Sequence, residues 1–321
     1  MIKPLERTGV WYPQVSSNKW KRKFKKNLVF LLMVAPTVIY FFIFSYIPMA
    51  GVYMAFTDYS FTGGIFGSKF IGLANYDALI ITGDLLRITM NTLLYNLVFI
   101  FLSNLTAMFV AILFSELTGK FFKKVTQSLI FLPHFISFVI VGAFIYNTFN
   151  YEAGTLNTLL KTLHYEPVDV YSNEYIWPFI LVFFNLWKSL GFYTLMYFAA
   201  IMGINTEYYE AAKMDGASIF AEIRYITLPL LKPTFIILVL LSLGSIMKGQ
   251  FDLFYNIVGI APINILRITD IIDTYVFRMA TQGVNYSSAA AVGLYQSLIG
   301  FITIIVVNKL VKIRDPERSL F

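Results

Sequence analysis

The sequence contains no cysteine. That excludes a disulfide framework, a thiolate metal site and a cysteine nucleophile. Charge is scarce too: 13% of the 321 residues are Asp, Glu, Lys or Arg, against 58% hydrophobic. A soluble globular chain is far less apolar than this. There is no G-x-x-x-x-G-K-[ST] phosphate loop, no helical H-E-x-x-H and no comparable metal cluster. No metal site and no ATP hydrolysis are therefore expected of this chain. No repeat with a period of roughly 20–50 residues is visible, and the two halves show no inverted symmetry of the kind common in secondary transporters.

What is present is apolar length. A bilayer core of about 30 Å needs roughly 20 mostly apolar residues per spanning helix. Six runs reach that length, at about 28–50, 89–114, 125–148, 178–202, 233–254 and 288–310. The expectation is an all-α integral membrane protein of six transmembrane helices, with the lipid bilayer as its first partner. A basic tail occupies 1–27, the transmembrane domain 28–310 and a C-terminal tail 311–321. The first run follows a basic stretch, as in a signal peptide. It is longer than an h-region of about 7–15 residues, and no A-x-A site closes it, so it reads as a retained helix.

The formal charge of +7 does not point to nucleic acid, because the basic residues crowd into Lys19-Trp20-Lys21-Arg22-Lys23-Phe24-Lys25-Lys26 beside the first run. Such a cluster anchors a chain end in the cytoplasm against anionic lipid. With the N-terminus inside, 18 Lys and Arg fall on the inner side and six on the outer, and Lys188 lies within a span. Both termini are therefore expected to be cytoplasmic.

The inner connection at 203–232 is the most structured polar segment. Asn205 or Thr206 can cap a helix, Glu207 suits its positive N-terminal end, and Gly216 can take the left-handed conformation that ends it. Ser218 can cap a second helix with Ile219, Phe220, Ile223 and Ile226 on one stripe, until Pro229 and Pro233 break the pattern. Small Ala211 and Ala212 permit close approach, and the acidic residues Glu207, Glu210 and Asp215 argue against a helix lying on an anionic leaflet.

The string Glu210-Ala211-Ala212, three residues, Gly216, nine residues, Ile226-x-Leu228-Pro229 resembles the EAA loop of binding-protein-dependent ABC-importer permeases. Phe44-Ser45-Tyr46-Ile47-Pro48-Met49, Ile71 to Tyr76, Trp187-Lys188-Ser189-Leu190-Gly191 and Ile272-Asp273-Thr274-Tyr275-Val276 look like the sugar and oligosaccharide branch of that family. The resemblance implies the type I importer permease fold in a bacterial inner membrane. It implies that the first short helix docks on a cytoplasmic ATPase through Glu207, Glu210, Ala211, Ala212, Asp215, Gly216 and Pro229. It also implies the partners: a second homologous permease, two ATPase subunits that bind ATP and Mg, an extracytoplasmic solute-binding protein and a carbohydrate. No cofactor is expected in this chain. The rival readings are an ion-gradient-driven transporter and a non-transporting membrane scaffold.

Lys188 lies about ten residues into the fourth span, near the bilayer centre at 1.5 Å per residue. A central Lys costs about 2.5–3.5 kcal/mol facing lipid, so it is expected either to line the pathway or to pair with Asp252 or a partner. Asn185, Trp187, Tyr193 and Tyr197 on the same helix, with Gln250 and Asp252 after the fifth span, are candidates for a sugar pathway. Asn91, Asn96 and Asn104 can bond between helices, and Ala289, Gly293 and Ser297 recur at the four-residue spacing of a packing seam.

Overall fold

The computed structural model describes residues 18–117, 119–259, 262–283 and 285–314. Most of the expected basic tail and the last seven positions of the C-terminal tail lie outside the described residues. The chain divides into two units, Met1–Val52 and Tyr53–Phe321.

In the first unit, α1 (Asn18–Phe41) passes into a π-helical turn at Phe42–Tyr46, and a 3-10 segment at Ile47–Phe56 continues across the boundary. Residues 30–56 are long and apolar enough to cross a bilayer. Large side chains such as Met33 and Phe44 stand exposed along it.

The second unit opens with strand β1 (Thr57–Asp58) paired antiparallel to β2 (Lys69–Phe70) around α2 (Gly64–Gly67). Asn75, on α3 (Ala74–Ile81), ties this hairpin down by donating to the carbonyls of Ala55 and Thr57 at 2.9 and 3.1 Å. Gly83 takes φ +74° and launches α4 (Asp84–Glu116). At 33 residues this helix is about 50 Å long. It packs along α8 (Trp177–Met202), and the two form the frame on which the remaining elements rest.

The third expected span is not one helix. It is α5 (Lys120–Phe135) and α6 (Phe138–Phe149), bent by 89° at Ile136–Ser137. Pro133 supplies no backbone donor, and Ser137 starts the new helix by accepting from the Ile140 amide at 3.4 Å. A connection containing α7 (Thr155–Thr162) then leads into α8.

After α8 come α9 (Glu207–Met214), α10 (Ile219–Glu222), a π turn at Ile223–Thr227 and α11 (Leu228–Leu243). The expected interruption at Pro229 and Pro233 does not occur, and 219–243 is one helical span. The π turn is the physical reason. Proline lacks an amide and crowds the carbonyl four residues back, and a widened turn absorbs both effects. The same solution recurs in the first span, where Pro48 follows the π turn at the same two-residue interval as Pro229.

The fifth span also ends earlier than expected, at Leu243 rather than 254. Residues 244–250 form a break, and α12 (Phe251–Val258) follows as a separate short helix. Then come α13 (Ile263–Thr269), α14 (Ile272–Thr281) and the long α15 (Tyr286–Arg314). The described residues thus contain five helices able to cross a bilayer, plus the bent pair.

Among the described residues, three clusters fill the interior. One joins α4, α6, α8, α12 and α13 around Trp177, Leu181 and Phe254. The second joins α3, α4, α14 and α15 around Ile88 and Ile272. The third lies toward α9, around Tyr197, Ile201 and Leu231. Gly142 lets α6 lie directly on α12, because a Cβ there would run into the Asn256 carbonyl. The small-residue stripe of α15 is not an internal seam. Ala289 is buried, but a Cβ on Gly293 would meet open space, and Ser297 is exposed.

Candidate functional site

The α9 connection is built from local chemistry. The Glu207 amide donates to Asn205 Oδ1 at 3.1 Å, and Asn205 Nδ2 donates to Glu207 Oε2 at 3.0 Å. At the other end Gly216 takes φ +76°, and the Ala217 amide reaches back to the Ala212 carbonyl at 2.9 Å, closing a Schellman cap. Ser218 then accepts from the Ala221 amide at 3.4 Å and starts α10. The Tyr209 hydroxyl lies 3.0 Å from Thr227 Oγ1 and links α9 to the π turn.

Most of α9 faces outward. Glu207, Glu210, Ala211 and Asp215 are exposed and Ala212 is half-buried. Met214 and Phe220 are 84% and 85% exposed, with Tyr208 and Tyr225 also prominent. The expected stripe splits accordingly: Ile223 packs on the core, whereas Ile219 and Phe220 face away from it. Acidic groups therefore stand here among large exposed apolar side chains.

A second feature lies inside the bundle, a polar cavity of about 150 Å³ between α4, α8 and the end of α11. Asn96 and Ser103 come from α4, and Asn185, Ser189 and Tyr193 from α8. Ser242, Ser245, Lys248 and Gln250 come from the α11 end and the break. Asn185 is buried and donates to Ser103 Oγ at 3.4 Å, and Ser103 Oγ lies 3.2 Å from Ser189 Oγ. Of the residues expected along a pathway, the fold brings Asn185, Tyr193 and Gln250 together here. Tyr197 is fully buried instead, with its hydroxyl donating to Asn104 Oδ1 at 2.7 Å. Trp187 packs in an apolar pocket with Ile136, Ile140 and Phe184, and Asp252 sits exposed on α12.

Lys188 neither lines the cavity nor pairs with Asp252. Its ammonium donates to the carbonyls of His134, at 3.0 Å, and Ile136, and lies 4.8 Å from the Phe138 ring. It thereby satisfies acceptors released where α5 ends. The break after α11 is treated in the same way. Asn96 Nδ2 donates to the carbonyls of Ile246 and Lys248, at 2.7 and 3.2 Å. Gln296 Nε2 donates to that of Met247 at 2.8 Å, and Asp273 Oδ2 accepts the Gly249 amide at 2.6 Å.

The five residues Trp187 to Gly191 each meet a different neighbour. Trp187 faces α6, Lys188 the break, Ser189 α4 and Leu190 the core near α9. Gly191 receives the backbone of α5, since a Cβ there would sit 2.5 Å from the Ile130 carbonyl oxygen. At the bundle end away from α9, Asp270 is fully buried and accepts from Arg278 at 2.5 Å, with Arg87 at 4.0 Å. Asn91 donates to the carbonyls of Arg267 and Asp270, at 3.1 and 3.0 Å, which ties α4 to the residues around α13. Burial raises the Tyr275 phenol above its ordinary value. Asp84 adds to that rise and Arg278 opposes it.

Sequence reasoning missed the serines of the cavity and both breaks. The signals were Pro133 followed by a capping Ser137, and Gly244-Ser245 with Lys248-Gly249 at the end of an apolar run.

A helical bundle with an outward-facing two-turn helix before its second-last long span, and a polar cavity among its spans, has the architecture of an ABC importer permease. Residues 103–313 match the binding-protein-dependent transport system inner membrane component family, and the chain belongs to it. It is 33% identical over 299 residues to Protein LplB of Bacillus subtilis (strain 168), covering 93% of each chain. It is 31% identical over 313 residues to the polygalacturonan/rhamnogalacturonan transport system permease protein YteP of the same organism, covering 94% and 95%. It also matches a chain in the crystal structure of a bacterial ABC transporter involved in the import of the acidic polysaccharide alginate. The TM-score there is 0.80 at 29% identity, over 92% of this chain and 99% of that one. The chain is a multi-pass permease subunit of the sugar and oligosaccharide ABC importers, and such subunits are not themselves ATPases.

Proposed function

We propose that this chain forms the transmembrane pathway of an ATP-driven importer for a sugar or oligosaccharide, with six spans and both termini in the cytoplasm of a bacterial cell. In this reading α9 is the docking element. Glu207, Glu210 and Asp215 meet basic groups on the ATPase, Ala211 and Ala212 permit close approach, Gly216 sets the turn, and Pro229 with its π turn passes the motion into α11. Two ATPase subunits bind ATP and Mg, a second homologous permease completes the channel, and an extracytoplasmic solute-binding protein delivers the carbohydrate. The related alginate transporter was crystallised with an alginate pentasaccharide-bound periplasmic protein. The polar cavity then carries the sugar, with Asn185, Ser189, Tyr193 and Gln250 among its contacts.

The exposed acidic and apolar surface of α9 carries the reading, because its only side-chain hydrogen bond to the rest of the bundle among the described residues is the one from Tyr209. The test is uptake by the complex in proteoliposomes. Uptake is expected to need ATP and to survive collapse of proton and sodium gradients. Uptake that follows an ion gradient without ATP would sink the proposal.

A further inference from the structure

We propose a second saccharide site, at the end of the bundle away from α9, which receives a sugar ring before it reaches the internal cavity. It rests on the pathway reading above. The site is a cavity of about 170 Å³ between α12 and α14. Buried Phe254 forms part of its wall, and its exposed aromatic members are Tyr255 and Phe277, 43% and 36% exposed, with ring centroids 4.9 Å apart in edge geometry. Its polar members include Arg278, Thr274 and Gln282.

An apolar ring face with a few hydrogen-bonding groups around it suits a sugar. The axial C–H groups lie on the aromatic, and the hydroxyls reach the polar rim. The rim is electrically offset. Asp270, with its side chain fully buried, accepts from Arg278 at 2.5 Å and from Thr274 at 2.8 Å. The guanidinium is thereby fixed in place with its charge compensated.

The platform continues toward the cavity. Phe251 stacks on Tyr255 at 5.1 Å and 12°, and lies 5.1 Å from Phe277. Its chain neighbour Gln250 lines the internal cavity. Three contiguous rings therefore run from the α12–α14 site to the chain neighbour of a residue that lines the internal cavity.

The experiment compares the complete importer with Tyr255→Ala, Phe277→Ala and Tyr255→Trp variants in proteoliposomes. The probes are partial hydrolysates of starch, arabinan, pectin and alginate. Each Ala variant is expected to lower uptake at subsaturating saccharide by roughly tenfold, within reach of a lost aromatic contact. Complex assembly and ATP hydrolysis stimulated by the solute-binding protein are expected to stay unchanged, and Tyr255→Trp to retain uptake. Unchanged uptake in both Ala variants overturns the site alone. Parallel loss of assembly or of stimulated hydrolysis also overturns it, making the rings a subunit interface. No ATP-driven uptake by the unmodified complex overturns the importer reading and this site with it.

Discussion

The ammonium of Lys188 is bound to the backbone carbonyl of Ile136, the residue at which the third span turns through 89°. A lysine within an apolar helix is explained by the break between α5 and α6: the ammonium gains acceptors and the freed carbonyls gain a donor.

Lys188→Met leaves the acceptors at the break without a donor. A loss of about 1–3 kcal/mol is expected, read as a lower unfolding temperature of the purified complex, and Lys188→Arg should recover most of it. A Met variant that melts like the unmodified protein would show that water or a partner serves those carbonyls instead.

Gly191→Ala is expected to prevent stable insertion or assembly, since its Cβ would meet the α5 backbone at Ile130 and Phe131. Gly293→Ala, into open space, is the matched control and should leave the isolated subunit as stable as before. Comparable yields of the two variants after detergent extraction would contradict the close approach.

These two positions show how far the sequence could be read. The α9 connection was legible because its determinants are local: Asn205 at the start, Gly216 at the end and Ser218 for the next helix all act within a few residues. Apolar run lengths located the spans for the same reason. The breaks left only weak local marks, at Pro133 with Ser137 and at Gly244-Ser245 with Lys248-Gly249, because the groups that satisfy their freed backbone are distant in the chain. Lys188 reaches back 52 residues to Ile136, and Asn96 reaches 150 forward to Ile246. Tyr197 looked like a pathway residue by type, and only the fold shows it facing Asn104 in the core.

The left-handed backbone at Gly216 leads to a graded prediction. A Cβ there meets no atom, so the cost is conformational, about 1–2 kcal/mol for an ordinary residue. Gly216→Asn should keep most uptake, Gly216→Val should lose it, and ATP hydrolysis should persist in both. Glu210→Ala should uncouple in the same sense. Equal uptake across the series would remove α9 from the coupling path.

In the internal cavity, Asn185→Ala and Ser189→Ala are expected to raise the apparent KM for saccharide several-fold, the effect of about 1 kcal/mol of lost hydrogen bonding. Basal hydrolysis should be unaffected. A fall in ATP turnover without a change in KM would make these residues part of the frame and not of the path.

The π turn at Ile223–Thr227 holds one more residue per hydrogen-bonded loop than the helix on either side. Returning that surplus to α geometry re-phases whatever follows by about 100°. Tyr209 is fastened to Thr227 at the downstream edge of this turn. The polypeptide therefore keeps a spare residue of winding beside α9, and a change of phase in α11 can be absorbed within this one turn while the helix on either side stays wound.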